Sequence, residues 1–196
     1  RILRTETNMS ANITDIGHVQ AKETGIYLNS VLNKNADIKI WNSPYQRTRQ
    51  TAQIIKDNLK DFRYEEEESL YIGERQFGVL DSAENYSHEY KEEVKHYLMH
   101  KKEKHDFFVR PSLGESPYDM CLRLDAFINF YLKTTTHTQH VLVLHGAAIK
   151  GFLMMWLKKN YEWYNEQNNS HNAAIHYIDE HNKYHGEIFT PSDITG

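Results

Sequence analysis

The chain has 196 residues and one cysteine, Cys121, so no intrachain disulfide can form and nothing calls for an oxidising compartment. It also lacks any apolar run approaching the length of a membrane span, and it has no charged-then-apolar signal at its start. A cytoplasmic protein that engages no membrane is therefore expected. No charge of one sign dominates: 23 Lys and Arg stand against 27 Asp and Glu, a formal net charge of -4. Without a long basic block, no electrostatic surface for nucleic acid is expected. Internal repeats and low-complexity linkers are missing too. With 39% hydrophobic residues, residues 1–196 are expected to form a single domain around one core. The chain opens at Arg1 inside what reads as a strand, which points to residues before it.

What is present centres on Val141 to Gly146, Val-Leu-Val-Leu-His-Gly. Four successive apolar residues read as a strand buried on both faces, the pattern of a central parallel strand under helices. Ala147 to Lys158 follows with Ile149, Phe152, Leu153 and Trp156 at helical spacing. His145 is thus placed at the carboxyl end of a strand beside a helix N-terminus, where open α/β sheets hold ligands and where anions are favoured.

Ile2 to Arg4 reads as a short first strand. Thr14-Asp15 reads as the start of a helix over Ile16 to Asn33 with Ala21, Gly25, Leu28 and Leu32 on its inner face. Ile38 to Trp41 alternates as a strand and ends in the turn Asn42-Ser43-Pro44. A second helix follows, with Thr48, Thr51, Ala52, Ile55 and Leu59 inward and Arg47 in its first turn. The glutamate run Glu65–Glu68 reads as a solvated edge. Glycines 73 and 78 flank Glu74 and put it on a loop. A polar helix is expected over Ala83 to Lys104, with Tyr86, Tyr90, Val94, Tyr97 and Leu98 as its apolar stripe, then a loop from Phe107 to Pro117. A helix from Glu115 or Ser116 to Lys133 turns Cys121, Leu124, Ile128 and Tyr131 inward, and Asn172 to Asp179 reads as a last strand. Alternating strands and helices predict an α/β fold, a three-layer α/β/α sandwich with a largely parallel sheet.

Arg4, Arg47, Glu74 and His145 are the candidates for chemistry. Two arginines can grip a phosphate bidentately at any working pH, and a glutamate whose pKa is raised can protonate a leaving alkoxide. Taken singly, each has an ordinary explanation as a surface, loop or strand-end residue. His96 and His100, four apart on a helix, lack a third ligand partner, so no metal is assigned. His137, His140, His171, His176, His181 and His185 show no ligand-like spacing. Lys101, Lys102 and Lys104 suit a helix C-terminus, and the thirteen tyrosines read as core and cover.

Five stretches together resemble the histidine phosphatase (phosphoglycerate mutase-like) superfamily. They are Ile13-Thr14 with Gly17 and Gln20-Ala21; Ser43-Pro44-Tyr45-Gln46-Arg47-Thr48-Arg49-Gln50-Thr51-Ala52; Gly73-Glu74-Arg75-Gln76-Phe77-Gly78; Arg110-Pro111-Ser112-Leu113-Gly114-Glu115-Ser116; and His145-Gly146. They run in family order, and the Ser-Pro-x-x-Arg-x-x-Gln-Thr-Ala stretch is the most specific. The resemblance implies a phosphoglycerate mutase-like fold and a phosphatase that hydrolyses a phosphate monoester through a phosphohistidine. It implies Arg4, Arg47, His145 and Gly146 as the phosphate site and Glu74 as the acid; the span 79–114 gives room for a cap or insertion over the site. It implies no cofactor and no metal, because the cage itself supplies positive charge. The expected ligand is a phosphorylated small molecule or inorganic phosphate. The motifs at 74–78 and 114–116 look closer to the branch containing the bisphosphatase domain of the bifunctional fructose enzyme than to short phosphohistidine-protein phosphatases.

The chain departs from the family where the nucleophile belongs. Arg4 is followed by Thr5-Glu6 in place of His-Gly, and a threonine hydroxyl is a poor nucleophile beside imidazole. The interval from Arg4 to Thr14 is also shorter than the family's. Either a segment bearing the histidine is missing from this sequence, which the short interval favours, or the protein is a catalytically inactive member that binds a phosphorylated ligand or a protein partner. Mutase-type phosphoryl transfer is a third possibility; it requires a second acceptor site that the sequence does not reveal.

Overall fold

A computed structural model describes residues 8–85, 91–103 and 106–192. The expected strand at Ile2–Arg4, the Arg4-Thr5-Glu6 junction, and Tyr86, Tyr90 and Lys104 lie outside these residues. In chain order the regular elements are α1 (Asp15–Val31), β1 (Ile38–Asn42), α2 (Gln46–Asp57), β2 (Tyr64–Glu68), α3 (Lys91–Glu103), α4 (Pro117–Phe127), β3 (Gln139–Val143), α5 (Gly146–Trp156), α6 (Tyr161–Glu166), β4 (Ile175–Ile178) and β5 (Tyr184–Phe189). They belong to two compact units, one built from residues 8–73, 135–146 and 169–192, the other from 74–134 and 147–168.

In the first unit, β1 pairs in parallel with both β2 and β3, in the order β2-β1-β3. Thr14 caps α1 by accepting the Gly17 N–H at 3.1 Å, the start that its sequence implies. Leu28 of α1, Ala52 and Ile55 of α2, and Leu59 and Phe62 beyond it bury one cluster with Ile38, Ile40 and Val143 from the strands. Among the described residues the strand with neighbours on both sides is β1, buried at all five positions, whereas β3 borders the sheet and is mostly half-buried. The alternation of Asp37 and Lys39 with isoleucines hid this, because a lysine inside a strand reads as solvent-facing. Lys39 is only 9% exposed.

Carboxylates on the neighbouring strand explain that burial. Lys39 Nζ lies 3.2 Å from Glu65 and 3.1 Å from Glu67. Desolvation pulls its pKa down, but hydrogen bonds to Glu67 and Glu65 outweigh this and hold it above the ordinary lysine value. The rest of the glutamate run is matched as well: Glu66 pairs with Lys56 and Glu68 with Arg49, both at 2.6 Å. The run is therefore a strand, β2, whose repeated charge is compensated from β1 and α2. Its charge also disfavours pairing of the sheet edge with another chain.

The C-terminal hairpin β4–β5 is antiparallel, and β5 was not apparent in the sequence. Its turn has no glycine; instead Asp179 accepts the N–H groups of His181 at 2.9 Å and Lys183 at 2.8 Å, and Asn182 takes φ 63°.

In the second unit, Ser116 and Asp119 form a capping box at the start of α4. The helix continues through a wider turn over Ile128–Leu132, close to the end expected from periodicity. Gly151 of α5 allows close packing on α4, since a Cβ there would lie 2.8 Å from Leu124 Cδ1 and 3.0 Å from Met120 Cε. Cys121 is buried in the same place, and burial pushes its thiol pKa up to about 12. The polar helix begins later than expected: short turns occupy Gly78–Asn85 and α3 starts at Lys91. Val94 and Tyr97 face inward, but Leu98 is 55% exposed. The short helix α6, capped by Asn160, was too brief to show a period.

Replacing Lys39 with Met leaves Glu65 and Glu67 without their buried partner. The expected loss is about 1–3 kcal/mol in urea denaturation. Lys95→Ala, which breaks an exposed pair with Glu92, is expected to change stability by about 0.5 kcal/mol or less.

Candidate active site

In the first unit the site is built at the carboxyl ends of β1 and β3. Ser43 follows β1, is fully buried, and donates its N–H to Val143 O at 3.2 Å, extending the pairing by one residue. That tie brings Ser43 to His145, two residues past β3. Ser43 Oγ and His145 Nε2 are 2.7 Å apart, so the serine hydroxyl orients an imidazole that is only 6% exposed. The edge of the His145 ring meets Tyr45 at a centroid distance of 4.8 Å. On the same tyrosine the Arg47 guanidinium lies 4.7 Å from the ring centre. Tyr45 thus links the two residues expected to hold phosphate.

Arg47 Nη1 donates to Asn8 O at 2.6 Å and to Asn8 Oδ1 at 3.1 Å. Among the described residues no carboxylate pairs with it. Two residues on, Arg49 is held by both oxygens of Glu68, at 2.6 and 2.7 Å. Of the two arginines in this motif, Arg47 is the one left to meet an anion. The rest of the motif is structural. Thr48 Oγ1 donates to Ser43 O at 2.9 Å, Gln50 accepts the Ile13 N–H at 2.9 Å and donates to Asn12 at 2.7 Å, and Ala52 is buried in the core. Gly146 opens α5 directly after His145, placing helix N–H groups there. The structure therefore brings Arg47, His145 and Gly146 together, as the sequence implied. Arg4 lies outside the described residues.

Glu74 belongs to the second unit and is on a loop, as expected. Its Oε1 accepts the Arg75 N–H at 2.9 Å, and its carbonyl accepts from Arg123 at 2.9 Å. The same Arg123 grips Glu115 at 2.9 and 3.0 Å. Glu115 in turn accepts the Gln76 N–H at 3.1 Å and donates its own N–H to Gln76 O at 2.7 Å. Gly78 adopts φ +57°, and a Cβ there would lie 2.2 Å from Ser112 O. The motifs at 73–78 and 110–116 are thus one backbone-paired structure that fixes the Glu74 main chain. Arg123 and the hydroxyl of Ser43 are the supports that the sequence reading missed. In the sequence Ser43 is only one residue of its motif, and nothing in the spacing pairs Arg123 with Glu115.

His96 and His100 lie on α3 with ring centroids 5.1 Å apart. Among the described residues no three His, Cys, Asp or Glu side chains converge to hold an ion, and no helix is long and apolar enough to cross a membrane.

The parallel sheet with its flanking helices, and the site at the strand ends, define an α/β protein of the phosphoglycerate mutase-like fold. Solved structures agree. The alpha-ribazole phosphatase of Shigella flexneri matches with a TM-score of 0.69 at 14% identity, covering 95% of this chain and 87% of that one. A mycobacterial glucosyl-3-phosphoglycerate phosphatase with inorganic phosphate matches with a TM-score of 0.69 at 16% identity, covering 96% and 92%. The sequence profile of the histidine phosphatase superfamily (branch 1) matches residues 4–187, and the chain belongs to that family. A curated relative, the phosphoglycerate mutase-like protein AT74 of Arabidopsis thaliana, is 26% identical over 186 residues. The match takes in 87% of this chain, which spans 57% of that relative's length.

The capping box offers a direct check. The Arg110 guanidinium, with the Ser116 hydroxyl and N–H behind it, holds the Asp119 pKa down to about 2. A carboxylate depressed in the folded state stabilises the fold above its ordinary value, and that contribution is lost as pH falls through the folded value. Wild-type protein is therefore expected to lose this contribution between about pH 4 and about pH 2 in acid unfolding followed by circular dichroism, and Asp119→Asn to lack that part of the pH dependence.

Proposed function

We propose that the chain carries the phosphate site of a phosphomonoesterase, and that its reaction passes through a phosphohistidine. The observation that carries this reading is the Ser43–His145–Tyr45–Arg47 arrangement: an oriented imidazole, and a guanidinium that no carboxylate among the described residues pairs with, share one tyrosine at a helix start. In this reading Arg47, His145, the N–H of Gly146 and Arg4 bind the phosphoryl oxygens and stabilise charge on them during transfer. The acceptor is a histidine expected after Arg4, in a segment missing from this sequence. Its imidazole attacks phosphorus in line, the P–O ester bond breaks, and Glu74 gives its proton to the departing oxygen. Water then attacks phosphorus, Glu74 takes up a proton, and the P–N bond breaks to release inorganic phosphate. Residues 79–114 are assigned the role of selecting the organic part of the substrate. The mycobacterial relative has been solved with inorganic phosphate and with VO3, ligands that such a cage would accept.

A second reading rests on Thr5-Glu6 standing where His-Gly is expected. In it the cage is kept and turnover is lost, and the protein binds a phosphorylated ligand or a protein partner. Both readings require phosphate binding, and they part on the phosphoenzyme.

Titration calorimetry with inorganic phosphate and orthovanadate is expected to show binding that falls at least tenfold in His145→Ala and in Arg47→Ala, with the fold unchanged by circular dichroism. Unaltered binding in both variants would refute the site. Acid-quenched trapping of phosphohistidine, with assays on sugar phosphates, phosphoglycerates, nucleotides and phosphopeptides, separates the two readings. Hydrolysis abolished by His145→Ala supports the enzyme, and phosphate binding without turnover supports the binding protein.

A further inference from the structure

We infer that Asn169 is a phosphate-contacting residue of this site, held in place by the C-terminal hairpin. This rests on the proposal that phosphate binds at Arg47, His145 and Gly146. A Cβ built on Gly146 would have as its nearest neighbours Asn169 Cβ and Cγ, each at 3.7 Å, and Asn169 Oδ1 at 3.9 Å. The Asn169 amide therefore lies against the residue that joins His145 to the start of α5. It is exposed, and among the described residues its side chain makes no hydrogen bond.

An exposed asparagine is ordinary on a mobile loop, but this turn is braced. Ser170 Oγ lies 2.7 Å from His176 Nε2 of β4, and the His176 Nδ1 lies 2.7 Å from the Tyr184 hydroxyl of β5. His171 holds Glu187 of β5 through Nδ1 at 2.7 Å and through its N–H at 3.4 Å. Two residues further on, the Ala173 carbonyl accepts from Thr24 of α1 at 2.6 Å. The residues following Asn169 are thus tied to β4, β5 and α1, while its own amide is left with donor and acceptor capacity unused. A pre-positioned neutral donor contributes to anion binding without first having to be ordered. Two histidines of the C-terminal third, His171 and His176, supply this brace.

The test is phosphate and orthovanadate binding by Asn169→Ala and Asn169→Asp, beside wild type and His145→Ala. Asp keeps the shape of Asn, loses the donor and adds negative charge. If Asn169 touches phosphate, affinity falls in the order Asn, Ala, Asp, by about tenfold for Ala and more for Asp, with thermal midpoints unchanged. A residue that merely packs on Gly146 gives a different order, with Asp equal to Asn and Ala weakest. Variants within twofold of wild type, or that packing order, overturn the inference while His145→Ala still confirms the site. If wild type itself binds neither anion, the phosphate site falls and Asn169 falls with it.

Discussion

The hydrogen bond between Ser43 and His145 is the constraint on which the site depends. Parallel pairing puts the carboxyl ends of β1 and β3 side by side, and the Ser43 N–H to Val143 carbonyl bond carries that pairing one residue past the strands. A serine with no exposed surface must have its hydroxyl satisfied, and the histidine at the end of the other strand does so. The ring that results is fixed at one nitrogen and packed at its edge by Tyr45. A phosphate site needs this kind of preorganisation, since charge in transit is stabilised best by groups that do not have to move.

Charge is distributed with the same economy. Four successive glutamates on β2 draw in Lys39, Lys56 and Arg49, and these cations are thereby committed to the fold. Among the described residues Arg47 meets Asn8 and the Tyr45 ring, partners that leave its charge uncancelled. A chain with a net negative charge can in this way keep a local positive site. In the second unit Arg123 binds the Glu115 carboxylate and the Glu74 carbonyl, and Glu74 Oε1 accepts the Arg75 N–H.

Much of this was legible in the sequence. The helix over Asp15–Val31 announced itself through Thr14 and its inward face, and Arg47 fell in the first turn of a helix because the turn Asn42-Ser43-Pro44 precedes it. His145 was placed correctly at the junction of strand and helix. The errors share a cause. A lysine alternating with isoleucines does not suggest burial, a run of four glutamates reads as a solvated edge, and the turn before β5 carries the half-buried carboxylate of Asp179 in place of a glycine. Each rests on polar or charged partners, within the β4–β5 turn or up to 26 positions along the chain, and hydrophobic periodicity reports only the apolar pattern.

Local chemistry in the sequence was enough to determine the elements, the family motifs and the identity of the phosphate-binding candidates, because caps, turns and apolar periods act over a few residues. Only the tertiary structure decided that Arg49, and not Arg47, is held by a carboxylate among the described residues, that Ser43 orients His145, and that motifs 73–78 and 110–116 are a single paired piece. It also decided that Asn169 lies against Gly146. These are relations between residues 19 to 102 positions apart, which no local spacing reports.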